Sequence, residues 1–238
     1  MTNLFLFDID GTILKLKEYR SRKIFQDAFL DLFGVVVGEE NTPYFSGMTD
    51  LNILKIMSEN VGFDYERILR EKDRVWNYLL KRFDDQSVRD NIVLMPKIQE
   101  FLDYLNELDN CRLALLTGNF RDNAYLKLKA FALDKYFPVG AFGCDKPDRN
   151  HLPEIAVNRA ISHWREERFS IESSVVLGDS PLDIECAKSS GALSLAVATG
   201  FHSYSKLGEY EPDILCEDFN DYKNITDNIL NIISERNK

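Results

Sequence analysis

The opening of the chain sets a pattern that returns twice more: a continuous apolar run, Leu4-Phe-Leu-Phe7, stops at Asp8-Ile-Asp10-Gly11-Thr12. An apolar run ended by carboxylates and a glycine predicts a strand buried on both faces that enters a loop. From about residue 16 to residue 90 the period becomes helical. Ile24, Phe25, Ala28, Phe29, Leu32 and Phe33 recur every three to four positions ahead of Gly34, which suits a left-handed C-cap. Thr49 fits the N-cap of a second helix, with Asp50 in its first turn and Leu51, Leu54, Met57 and Val61 on one face. A third helix is predicted over 65–83, stacking Leu69, Trp76, Leu79 and Phe83, and no strand is expected in this stretch.

After Asn91 the chain alternates strand and helix patterns. Pro96 suits the first turn of a helix whose buried face is Ile98, Phe101, Leu102 and Leu105. Strands are predicted over 112–116, 139–142, 175–177, 193–197 and 213–215, with helices between them. This alternation predicts an α/β fold, a parallel sheet covered by helices on both faces. The core then comprises 1–15 and 91–238, with 16–90 inserted after the first strand.

Composition narrows the partners. The chain has 238 residues, 29 Lys and Arg against 39 Asp and Glu, and a formal charge of −10, which argues against nucleic acid. With 45% apolar and 29% charged residues it is globular rather than disordered. No apolar run nears the ~18 residues that span a bilayer, and Asp8 and Asp10 stand where a signal peptide would need its apolar stretch. No membrane partner is expected, and the expected location is cytoplasmic. Cys111, Cys144, Cys186 and Cys216 are too far apart for a zinc site or a disulfide framework and are expected to be buried thiols. His151, His163 and His202 are too scattered for a local metal motif. Oligomeric state is not legible.

The chemistry collects at three strand ends: Asp8-x-Asp10-Gly-Thr12, Thr117-Gly118-Asn119 and Gly178-Asp179-Ser-Pro-Leu-Asp183. Each alone reads equally well as a turn or a helix cap. In an open parallel sheet, however, ligands bind beyond the carboxyl ends of the strands, so the three should converge on one crevice. Carboxylates brought 4 Å apart repel by about 4 kcal/mol at an effective dielectric of ~20, so Asp8, Asp10, Asp179 and Asp183 call for a hard cation or raised pKa values. Magnesium, typically held by one or two carboxylates plus phosphate oxygens, suits them, and the substrate would then be a phosphate ester. In an extended segment Asp8 and Asp10 point to the same side while Ile9 faces the core. One can attack as a nucleophile while the other moves protons.

In order and spacing these motifs resemble those of the haloacid dehalogenase superfamily, and the resemblance covers nearly the whole chain. It implies a Rossmann-like core with a helical cap inserted after strand one, and Mg²⁺-dependent hydrolysis of a small phosphorylated metabolite. Asp8 would be the nucleophile that becomes an aspartyl phosphate, and Asp10 the general acid and base. Thr117, with the nearby Gly118 and Asn119, would hold the phosphoryl group. Asp179 would bind magnesium with the Asp8 carboxylate and the Asp10 main-chain carbonyl, and Asp183 would support the site. The family's basic residue falls in Cys144-Asp-Lys146-Pro147-Asp-Arg149. Lys146-Pro147 is the literal match, while Arg149 lies nearer the helix expected from Pro153, and the offset favours Arg149. In the cap, Phe45, Gly47 and Thr49 resemble the segment that overhangs the active site in capped relatives.

Asp10 decides against dehalogenases, which lack an acid and base two residues after the nucleophile. Phosphatase is the expectation. A phosphomutase of the β-phosphoglucomutase type shares all four motifs and is the alternative. A phospho-acceptor signalling module has similar groups in a different chain order and a domain about half as long. Asp8-x-Asp10-Gly also lacks the further ligands of a calcium loop.

Overall fold

The computed structural model describes residues 2–16, 20–165 and 169–236. Its strands are β1 (Asn3–Phe7), β2 (Leu14–Leu16), β3 (Ile92–Leu94), β4 (Cys111–Leu116), β5 (Gly140–Ala141), β6 (Ser174–Gly178), β7 (Leu193–Val197) and β8 (Ile214–Cys216). Its helices are α1 (Ser21–Phe33), α2 (Asp50–Asn60), α3 (Tyr65–Arg70), α4 (Lys72–Phe83), α5 (Gln86–Arg89), α6 (Ile98–Glu107), α7 (Arg121–Lys129), α8 (Leu152–Trp164), α9 (Pro181–Ser190), α10 (Tyr204–Gly208) and α11 (Tyr222–Arg236).

Six of the strands form one parallel sheet in the order β5-β4-β1-β6-β7-β8, the doubly wound arrangement that the alternation predicts. Side-chain alternation assigns the two faces. Phe5 and Phe7 join Leu113, Leu115, Val175 and Leu177 under α6, α7 and α11, while Leu4 and Leu6 join Leu116 and Val176 against α8 and α9. Chain order reverses about β1, between β4 and β6. In register Phe7 lies opposite both Leu115 and Leu177, which sets the carboxyl ends of all three strands level. Thr117 and Asp179 stand two residues past their partners of Phe7, and Asp8 one residue past it.

Helices α1 to α5 lie between β2 and β3, which pair antiparallel. These two strands were not expected: at three residues each, Leu14-Lys-Leu16 and Ile92-Val-Leu94 are too short to carry a period, and long-range pairing alone defines them. The helical segment was expected from about residue 16, but Leu16 still belongs to β2, and residues 17–19 lie outside the described residues. The helix expected over 65–83 is two helices, broken at Glu71, whose carboxylate meets Arg67 and Arg74. The break changes the buried face to Ile68, then Val75, Leu79 and Phe83. Trp76 instead stacks on Phe120, centroids 3.8 Å apart and rings 11° from parallel, where the helical segment meets the sheet domain.

Cys111 and Cys186 are buried, Cys144 and Cys216 partly so, and all four are free thiols. Burial pushes the Cys186 thiol up to about 12, which keeps it protonated and inert.

Candidate active site

The carboxyl end of β1 delivers Asp8, whose backbone amide donates to Leu177 O at 2.9 Å and so ties it to β6. Beyond β6, Ser180 caps α9 in a reciprocal box with Asp183, and Pro181 occupies the first turn. That box orients Asp183 inward. Oxygens of Asp8, Asp179 and Asp183 lie within 4.8 Å of one another, and all three residues are buried.

One cation is built into this group. Arg149 Nη2 donates to Asp8 Oδ1 and to Leu116 O, each at 3.1 Å, and also meets Asp183. Its Nη1 donates to Gly47 O at 2.9 Å. Lys146 is exposed on the preceding loop, whereas Arg149 makes the bonds to the carboxylates. A short 3₁₀ turn, Arg149–His151, leads into α8 and supplies the offset.

With all three carboxylates ionised, one guanidinium leaves two negative charges uncompensated. Burial raises the pKa of Asp8 against the pull of Arg149, and Asp183 and Asp10 raise it further. Burial, then Asp183 and Asp8, hold the Asp179 carboxyl well above the carboxylate range. The donor set is all hard oxygen, and the missing charge is that of a divalent cation. These residues therefore fit a magnesium ion in both chemistry and charge.

Asp10 belongs to a second, separate cluster. Its carboxylate accepts from Lys127 Nζ at 2.8 and 2.7 Å and from Asn119 Nδ2 at 2.7 Å. Asn119 Nδ2 also donates to Thr117 Oγ1 at 2.8 Å, so the second motif touches the first. Thr117 is itself buried at the end of β4. Lys127 was not singled out in the sequence. Its signal was there, since Ala124, Lys127 and Leu128 occupy one buried face of α7 and a lysine does not belong in such a stripe without a partner.

The helical segment closes over these groups through one loop. Gly47 has φ +72°, and a Cβ there would sit 2.2 Å from Ser180 Oγ, so only glycine allows the loop this near α9. Thr49 Oγ1 accepts from Asn52 N at 3.1 Å as the predicted N-cap and donates to Pro147 O at 2.5 Å. The Asp50 amide donates to Gly118 O at 2.8 Å, while its carboxylate accepts from Phe120 N at 2.7 Å. Phe45 packs edge-on against Phe25 at 5.0 Å, within the helical cluster.

A parallel sheet with paired strand-end aspartates, a buried acidic triad and a helical segment laid over it defines a class of hydrolases. The profile of the haloacid dehalogenase-like hydrolase family matches residues 5–197, and the chain belongs to that family. It is 26% identical over 218 residues to the pyrophosphatase PpaX of Listeria monocytogenes, covering 91% of this chain and 92% of that one. It is also 26% identical to the phosphoglycolate phosphatase of Vibrio parahaemolyticus, covering 90% and 91%. Among solved structures, β-phosphoglucomutase from Clostridium difficile shares the fold, with a TM-score of 0.72 at 17% identity over 98% of this chain and 100% of that one. The chain is thus an enzyme of the hydrolase class, with phosphatases among its relatives, as the motifs implied. The signalling-module alternative does not belong to this family. No helix among the described residues is long and apolar enough to cross a membrane.

Proposed function

We propose that this enzyme hydrolyses small phosphomonoesters in the presence of Mg²⁺ through an aspartyl phosphate on Asp8. The observation that carries the reading is the buried triad of Asp8, Asp179 and Asp183 around Arg149, with Asp10 beside it on its own supports. Asp8, Asp179 and the main-chain carbonyl of Asp10 would hold the ion, with Asp183 behind them. Bound there, magnesium would balance the buried charge and polarise a phosphate oxygen.

The rest of the chemistry belongs to the side chains. An Asp8 oxygen bonds to phosphorus as the bond to the leaving oxygen breaks, and Asp10 gives that oxygen its proton. Asp10 then takes a proton from water, whose oxygen bonds to phosphorus as the bond to Asp8 breaks, releasing inorganic phosphate. Arg149 and Thr117, with the Gly118 and Asn119 backbone, hold the phosphoryl oxygens through both steps. The loop at Gly47 to Asp50 limits water and contributes to choice of the leaving group.

The test is phosphate release from a panel that includes pyrophosphate, phosphoglycolate and hexose phosphates, with and without Mg²⁺. Turnover should require the metal and vanish in Asp8→Asn. A binding readout is independent of turnover: Mg²⁺ should raise the melting temperature of the wild type and not of Asp179→Asn. Metal-independent turnover, or full activity in Asp8→Asn, overturns the reading. Conversion of hexose 1-phosphate to 6-phosphate would assign it to the mutase alternative instead.

A further inference from the structure

Lys127 is almost fully buried, 4% exposed, and its ammonium bonds to Asp10 and Asn119 rather than to the acidic triad. All three protons of its ammonium are spoken for: Asp10 Oδ1 at 2.8 Å, Asp10 Oδ2 at 2.7 Å and Asn119 Oδ1 at 2.7 Å. Asn119 closes the triangle by donating to Asp10 Oδ2. Below the ammonium lies the ring of Phe83 from α4, 5.2 Å away, so the lysine is also seated against the helical segment. Meanwhile 41% of the Asp10 side chain stays accessible, in contrast to 7% for Asp8. The acid and base is thus gripped on one side and open on the other.

A buried ion pair is a weak source of stability, and an apolar residue of similar volume would pack α7 about as well. What an apolar residue could not do is fix both oxygens of one carboxylate. Two bonds from one ammonium, with a third from an amide, hold the plane of the Asp10 carboxylate and stop its rotation about the side-chain torsions. The two buried cations of the site divide the labour: Arg149 touches the nucleophile, Lys127 the proton carrier.

Resting on the phosphohydrolase reading above, we propose that Lys127 is a positioning residue, which with Asn119 aims Asp10 at the leaving oxygen and then at the attacking water. The two chemical steps differ in how much they need Asp10, and this makes the role measurable. With p-nitrophenyl phosphate the leaving phenolate departs without a proton, whereas hydrolysis of the aspartyl phosphate still needs water activated by Asp10.

In rapid-mixing experiments at saturating Mg²⁺, Lys127→Met should release about one nitrophenolate per site in a burst and then turn over roughly 100-fold more slowly than the wild type. Acid quenching should find the phosphate on Asp8. With an alkyl phosphate, whose alkoxide needs the proton, the same variant should show no burst. Lys127→Arg should recover much of the steady-state rate. If Lys127→Met does not fold, Asn119→Ala removes support from the other side of the same carboxylate and should give the same burst.

Wild-type steady-state rates in these variants overturn the proposal, as does a slow rate whose burst shrinks in step with the folded fraction. Asp10→Asn separates the two levels. A burst in Asp10→Asn with wild-type behaviour in Lys127→Met sinks the proposal alone, whereas wild-type turnover in Asp10→Asn sinks the reading of the site beneath it.

Discussion

Asp50 is a buried acid that the proposed chemistry does not consume, and its position makes stability depend on pH. Burial lifts its pKa from 3.8 to about 7, against the Phe120 amide and Lys127, which favour the charged form. The folded state therefore holds a proton that the unfolded chain gives up near pH 4. Its contribution to stability is fully present below that pH and is lost as pH rises through 7, about 4 kcal/mol in all. Asp50→Asn keeps an acceptor for Phe120 and removes the charge. In urea unfolding it should gain on the wild type by roughly 2–3 kcal/mol between pH 5 and pH 8, and parallel stability curves would refute the assignment. At this scale the sequence was legible in placing candidate groups at strand ends, as with Asp8, Thr117 and Asp179. It was silent where a polar side chain is recruited from a helix: Asp50 reads as an ordinary first-turn acid, and only the fold brings its carboxylate to Phe120.

Among the elements, the turn ahead of α2 has no room to move off its seat. A Cβ on Gly118 would lie 1.9 Å from Met48 O, a backbone atom that cannot swing aside. Gly118→Ala should therefore push the loop away from the strand ends while the sheet stays folded. The expectation is a fall in kcat/KM of about tenfold or more with an unchanged far-UV spectrum, since a displacement near 1 Å can cost more than that. Gly34→Ala provides the contrast. It ends α1 with φ +69° and open space around it, so it should cost only about 1 kcal/mol of stability and leave kinetics alone. Helices α1 and α2 were legible because each carries both a period and a cap, Gly34 for one and Thr49 for the other. The break at Glu71 was not, because side-chain pairing and packing decide it rather than a proline or glycine.

For the molecule as a whole, the parallel sheet covered by helices followed from alternation alone, since buried parallel strands and amphipathic helices leave few other arrangements. How the helical segment sits on the sheet domain did not, because residues that look like core from within one helix serve the seam between two layers. Trp76 shows this: it was expected in the inner stack of its helix and lies flat on Phe120. Trp76→Ala should loosen the seam more than the layers, lowering the aromatic contribution by about 1 kcal/mol and speeding amide exchange at the start of α7.

The same indole gives the enzyme an intrinsic optical gauge. The chain has two tryptophans, and Trp164 lies at the end of α8, so Trp164→Phe leaves a single emitter at the joint. Separation of the layers would wet that emitter and move its emission to longer wavelength, and fluoroberyllate with Mg²⁺ should draw it back. Separation of the two layers could then be timed in unlabelled protein.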